Sequence, residues 1–215
     1  MFLSGTAFIA DMFNANVLKF GDFTLKSGIK CPYFFDLGAI DSGAGLQQVG
    51  FAFAQKIDEL NFSPDVLFGP AYKGIPLVVT TAISLLDFGK NTEVCFDRKE
   101  VKQHGEGGKL VGAGLAGKTV LLIDDVITDG ASKVEAYELI RSHGGNVLAI
   151  LVALDRNERD GNTNISYLKS LEETLEVGIY SIASIKDVLA YLERHQELKE
   201  AHETVQRYAD AHCEL

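Results

Sequence analysis

The segment Thr119-Val120-Leu121-Leu122-Ile123-Asp124-Asp125 constrains the fold more than any other part of the chain. Its first five residues carry no charge and do not alternate polar with apolar, so a strand built from them leaves neither face for water. Strands of this kind belong to parallel sheets covered by helices on both sides. The surrounding sequence agrees. Val66 to Gly69, Val94 to Phe96, Asn146 to Leu154 and Val177 to Ile182 read as further strands, and residues 43–60, 75–86 and 131–143 read as helices between them. In the second of these helices Ile75, Val78, Val79, Ala82, Ile83 and Leu86 follow the i, i+3, i+4, i+7 spacing. Strands alternating with helices predict an α/β fold: a doubly wound, mostly parallel sheet with helices on both faces. Ligands of such sheets bind beyond the carboxyl ends of the strands, where the strand order reverses.

The ends of the chain read differently. Residues 1–15 suggest a helix carrying Phe8, Ile9, Met12 and Phe13, and residues 16–36 are β-like. There Val17 to Phe20, Phe23 to Lys26 and Tyr33 to Asp36 are separated by the turn signals Gly21-Asp22 and Ser27-Gly28. Residues 1–40 are therefore expected to form a small hood over an α/β core at 41–190. Residues 156–174 read as a polar excursion, and Ser184 with Asp187 as a helix N-cap. Residues 185–210 read as a helical tail, with 191–215 as a C-terminal helix. A chain of 215 residues fits one domain of this type.

A net charge of −10 argues against nucleic-acid partners, because phosphate neutralisation needs clustered lysine and arginine. Anionic substrates stay open if their cationic partners are gathered locally. No run approaches the ~18 apolar residues of a membrane span, and no signal peptide is evident. Cys31, Cys95 and Cys213 are odd in number and widely spaced, which predicts reduced thiols in a cytoplasmic protein.

The chemistry concentrates in Val120 to Ser132, an apolar strand that delivers Asp124 and Asp125 into the loop Val126-Ile127-Thr128-Asp129-Gly130-Ala131-Ser132 before a helix. Backbone N–H groups at a helix N-terminus bind anions, and glycine lets the backbone approach closely. Paired carboxylates accept hydrogen bonds from two neighbouring sugar hydroxyls, so the arrangement suits a ribose 5-phosphate. The bland reading is a strand end with solvated acids, and the whole strand–loop–helix string weighs against it. Residues 98–112 hold Arg98, Lys99, Lys102, His104 and Lys109 among glycines, the composition of a mobile cationic flap that closes over a polyanion. Pro70-Ala71-Tyr72-Lys73-Gly74 joins a strand to a helix and supplies one lysine. No Ser–His–Asp or Cys–His arrangement points to a nucleophilic side chain.

The string from Val120 to Ser132 resembles the phosphoribosyl diphosphate (PRPP) motif of type I phosphoribosyltransferases. Leu25 to Gly28, Tyr33 to Asp36, Phe68 to Pro76, Phe96 to Glu100, His104 to Gly108 and Ala153 to Arg156 narrow the resemblance to the orotate branch, over roughly residues 15–185. The resemblance implies a Mg²⁺-dependent pentosyltransferase that moves ribose 5-phosphate from PRPP to N1 of orotate, in the route to UMP. It assigns leaving-group stabilisation to Lys73, Arg98, Lys99, Lys102 and His104, and the ribose diol to Asp124 and Asp125. PRPP binding extends over Lys26, Tyr72 and residues 126–132. Orotate is placed near Lys26, Phe34, Phe35, Thr128 and Arg156. Mg²⁺ would be held mainly by PRPP and water, near Asp124 and Asp125. A non-proline cis peptide in the 70–74 loop, a homodimer, and a flap 98–112 reaching the neighbouring active site also follow from the resemblance. One departure stands out: Thr128-Asp129-Gly130-Ala131 replaces the family's usual Thr-Ala-Gly-Thr, and Asp129 is expected to face solvent. Two other readings remain at this point, a purine phosphoribosyltransferase and a non-catalytic PRPP-sensing regulator.

Overall fold

A computed structural model of the chain describes residues 4–24, 28–102, 108–128, 130–161 and 165–215, the side chains of Val101 and Lys102 excepted. Its main sheet has six strands in the order β5-β4-β3-β6-β7-β8: β5 (Gly108–Gly112), β4 (Glu93–Lys102), β3 (Val66–Gly69), β6 (Thr119–Ile127), β7 (Asn146–Asp155) and β8 (Ile179–Ser184). All neighbours run parallel except β4 and β5, which pair antiparallel as a hairpin. The doubly wound sheet expected from Thr119–Ile123 is present.

Alternate residues of each central strand face opposite cores, as the two-residue period requires. Leu67, Leu121, Ile123, Leu151 and Ala153 enter one cluster, with residues of α1 (Gly5–Asn14), α2 (Gly43–Glu59), α3 (Gly74–Leu85), α6 (Ile185–Glu193) and α7 (Lys199–His212). Val66, Phe68, Val120, Leu122, Ile150 and Val152 enter the other, closed by α4 (Ala131–Ser142) and α5 (Tyr167–Leu175). The unbroken apolar runs thus have helices on both sides.

Several expectations need correction. Gly21-Asp22 is not a turn: β1 (Leu18–Thr24) continues through it with a register shift and pairs antiparallel with β2 (Lys30–Phe35). α1 packs on α6 and β8 of the core as well as on β1, and Leu18, Cys31, Tyr33 and Phe35 of the hairpin join the same core cluster, so residues 1–40 do not pack as one separate element. The polar excursion contains the amphipathic helix α5, whose Leu171 and Leu175 are buried while its other faces are polar. The helical tail breaks into α6 and α7 around a 3-10 turn at Gln196–Leu198. The N-cap at Ser184 is present, its backbone N–H donating to Asp187 Oδ2 at 2.9 Å. The apolar stripe read on α3 is mostly not the buried face. Leu77, Val78, Thr81 and Leu85 turn inward, while Val79, Ile83 and Leu86 are 39%, 63% and 57% exposed. Among the described residues no helix is long and apolar enough to cross a membrane.

Candidate active site

From β3 the chain passes to β4 on one side of the sheet, and β6, β7 and β8 follow on the other. The strand order therefore reverses between β3 and β6, and the loops after these strands are where a doubly wound sheet binds ligands. Lys73 leaves the first loop and Asp124 and Asp125 sit on the second strand, so the reversal brings them together. Lys73 Nζ lies 2.8 Å from Asp36 Oδ1 and 3.0 Å from Asp125 Oδ2, bridging the carboxylate that follows the hood to one in the core. Partial burial pulls the Lys73 pKa down, but hydrogen bonding to Asp36 and the charge of Asp125 outweigh it and hold the ammonium above its ordinary range.

The loop that carries Lys73 is tightly built. The Ala71–Tyr72 peptide is cis, as the resemblance implies, and the Ala71 N–H donates to Asp97 Oδ1 at 2.6 Å. A Cβ on Gly69 would lie 2.2 Å from the Gly74 carbonyl oxygen, so only glycine permits this approach of β3 to the start of α3. The Tyr72 ring is 71% exposed, with Lys99 Nζ 6.0 Å from its centroid.

β6 runs four residues beyond the apolar segment, through Ile127, so the two carboxylates lie inside the strand and point to opposite faces. Asp125 is partly exposed, and its Oδ1 accepts from the Val126 N–H at 2.7 Å. Asp124 is buried, and Lys133 Nζ sits 2.7 Å from its Oδ2, 2.6 Å from the Val126 carbonyl and 3.3 Å from Ser132 Oγ. Burial raises the Asp124 pKa above the usual range against the opposing charge of Lys133. The pair expected to act alike is thus divided: Asp125 is accessible and Asp124 is held internally. Lys133, buried on the first turn of α4, was not singled out in the sequence because a lysine beside a polar loop reads as solvated. Gly130, left-handed at φ 78°, caps that helix, and Thr128, Ala131 and Ser132 are exposed around it. Val126 is half-buried and Ile127 is packed in the core, so what they offer a phosphate is backbone. Asp129 lies outside the described residues.

In the hood, β2 alternates strictly. Cys31, Tyr33 and Phe35 face inward and Phe34 outward, where it is 41% exposed and stacks on Phe23 at 5.4 Å. Phe35 is only 5% exposed within the core, which corrects its reading as a stacking surface for a base. Arg156 follows the pair Ile127/Asp155 at the carboxyl edge of β6 and β7, beside Thr128. It is buried: Nε and Nη2 both donate to Glu158 Oε1, at 2.8 and 2.6 Å, and the guanidinium lies 4.5 Å over the Tyr33 ring.

The flap begins as paired strands rather than loop, since Asp97 faces Leu110 and Lys102 faces Gly108 across β4 and β5. Arg98 Nη1 donates to the Gly108 carbonyl at 3.5 Å, and Lys99 is exposed. Lys26, His104 and the Lys102 side chain lie outside the described residues. The three cysteines are buried, and burial pushes Cys95 up to about 11 and Cys213 to about 12, which leaves no thiolate nucleophile in either.

A family model described as the phosphoribosyl transferase domain matches residues 38–182. The orotate phosphoribosyltransferase of Salmonella typhimurium (strain LT2) is 44% identical over 204 residues, covering 94% of this chain and 95% of that protein. The chain belongs to the orotate phosphoribosyltransferases. The crystal structure of the Francisella tularensis member of this family superposes with a TM-score of 0.84 at 33% identity, covering 96% of this chain and 99% of that one. The Leishmania donovani UMP synthase shares the fold, with a TM-score of 0.79 at 21% identity over 98% of this chain and 43% of its own.

Within the chain the structure gathers Lys73, Asp125 and Asp124 and sets Gly130, Ala131 and Ser132 at a helix start. Asp36, Asp97, Lys133 and Glu158 join them as contacts that local sequence could not assign. Asp36 and Asp97 lie far along the chain from the loop 70–74, yet both find their partners in it: Lys73 and the Ala71 N–H. Among the described residues no three His, Cys, Asp or Glu side chains gather into a metal site.

Proposed function

We propose that the chain transfers ribose 5-phosphate from PRPP to N1 of orotate, releasing diphosphate and forming orotidine 5′-monophosphate for UMP synthesis. The observation that carries this reading is Lys73 held between Asp36 and Asp125 at the strand-order reversal, beside the Gly130-capped helix. Cleavage of the anomeric bond builds positive charge on the ribose and negative charge on the leaving diphosphate. Preorganised charges at both ends serve that separation. Asp125 accepts from a ribose hydroxyl and faces the growing positive charge. Asp124, fixed by Lys133, adds a buried negative charge behind it. Lys73 turns from its carboxylates to the diphosphate, assisted by Arg98, Lys99, Lys102 and His104 of the flap. The 5′-phosphate takes the loop 126–132 and the α4 N-terminus. Lys26, Phe34, Thr128 and Arg156 hold the base, with Phe34 rather than Phe35 supplying an exposed ring.

The carboxylates at the site each already hold a lysine, a donor set that fits Mg²⁺ carried mainly by substrate and water oxygens near Asp124 and Asp125. When bound, Mg²⁺ neutralises the diphosphate oxygens. The exposed apolar side chains of α3, with Phe51 of α2 at 43% exposure, support a homodimer through this face. In that dimer the flap 98–112 reaches the neighbouring site.

The test is the fall in orotate absorbance on adding PRPP and Mg²⁺ to the purified protein. Loss of signal should need all three components, and Lys73→Ala should slow turnover by roughly 10²–10³-fold, as when one preorganised donor is lost from a charged transition state. No change with orotate, but diphosphate release with a purine base, would overturn the reading.

A further inference from the structure

The C-terminal helix α7 lies outside the matched domain, yet its Tyr208 and the base-side arginine share one acceptor. Glu158 Oε1 takes Nε and Nη2 of Arg156 and also the Tyr208 hydroxyl. Arg156 Nη2 reaches Cys31 Sγ at 3.1 Å, and the Tyr33 ring covers one face of the guanidinium at 4.5 Å. Tyr208 in turn packs edge-on against Tyr33, with centroids 6.2 Å apart. The segment after Arg156 is laced to the end of the chain. Arg159 N–H donates to the His212 carbonyl and Glu214 N–H to the Asn157 carbonyl, both at 2.8 Å. Asn157 Nδ2 adds a bond to the Glu214 carbonyl at 3.2 Å, and Glu158 bridges Cys213.

A guanidinium is a rigid planar fork with five donors. Once its Nε–Nη2 edge is committed to Glu158 and one face to Tyr33, the direction of the remaining donors is set. A long side chain immobilised before ligand arrives loses less freedom on binding. Arg156 Nη2 also donates directly to the Tyr208 hydroxyl at 3.5 Å. We propose that Tyr208, through Glu158 and through this direct contact, is a positioning residue that fixes Arg156 for the base, so that α7 governs orotate recognition without touching it. This rests on the reading above that Arg156 meets the base.

Steady-state kinetics on the full chain separate the two claims. Tyr208→Phe removes one hydroxyl and keeps the ring; it should raise KM for orotate about fivefold to tenfold, with KM for PRPP within twofold and the melting temperature within a few degrees. Glu158→Gln should move orotate KM the same way. Arg156→Lys should raise orotate KM further, and adding Tyr208→Phe to it should change nothing more. If Arg156→Lys folds and leaves orotate KM unchanged, Arg156 does not meet the base and the premise is lost. If Arg156→Lys raises orotate KM while Tyr208→Phe does not, or the two effects multiply, the premise stands and the positioning role is refuted. Should Arg156→Lys fail to fold, equal rises in orotate and PRPP KM in Tyr208→Phe refute it alone.

Discussion

Replacing Lys133 with methionine isolates the buried pair at the centre of the site. The side chains of Lys133 and Asp124 are 4% and 8% exposed and 2.7 Å apart. With an effective dielectric of ~20, unit charges at that separation attract by about 6 kcal/mol, part of which is consumed by desolvating both. Removing one partner leaves the other charge uncompensated, at a cost of about 3–5 kcal/mol. Methionine fills most of the volume of the lysine stem, so the loss is electrostatic rather than a cavity. For a domain of this size each kcal/mol moves the melting temperature by about 2–4 °C, so the variant should melt roughly 6–20 °C lower at pH 7. Burial already raises the folded-state pKa of Asp124. A raised carboxyl pKa destabilises the fold above that pKa and ceases to do so once pH falls below the unfolded value of about 3.9. The deficit of Lys133→Met in urea unfolding should therefore narrow as pH is lowered towards the unfolded carboxyl value of about 3.9. The double variant Lys133→Met with Asp124→Asn should recover most of the stability. A single variant within about 1 kcal/mol of the parent, against the expected 3–5, would refute the assignment of a charged buried pair. So would a double variant as unstable as the single.

The two hood phenylalanines should separate stability from binding. Phe35→Ala should lose about 3–5 kcal/mol by emptying a core position, whereas Phe34→Ala should fold normally and raise orotate KM, both read from urea unfolding and initial rates. Gly69→Ala forces a Cβ to 2.2 Å from the Gly74 carbonyl and must displace the Lys73 loop; kcat/KM for PRPP should fall by roughly 10²-fold. Ile83→Asp places a charge on the exposed α3 face, and if the proposed homodimer forms there, sedimentation velocity should report dimer for the parent and monomer for the variant; a dimeric variant would place the interface elsewhere, and a monomeric parent would refute the dimer.

How much was legible in the sequence follows from range. Thr119–Ile123 declared a strand buried on both faces, and the motif that follows it pointed to the candidate site, because both signals lie within a dozen neighbouring residues. Ser184 with Asp187 gave a helix start for the same reason. On α3 local periodicity failed, since the helix is apolar over more than one stripe and only the positions of α2 and the sheet choose which stripe is buried. In β2 the alternation showed that one of Phe34 and Phe35 faces inward, and packing against the core decided which.

The chain by itself thus determined the sheet type, the strand-end chemistry and the kinship that names its substrates. Tertiary structure decided the pairings: Lys73 with Asp125 across 52 residues, and Arg156 with Cys31 across 125. It also made Asp124 an internal anion while leaving its neighbour accessible. These depend on strand order and on which side each crossover helix lies, quantities that no local spacing encodes. A buried charge is tolerable only with a partner, and the fold, not the sequence interval, brings that partner within reach.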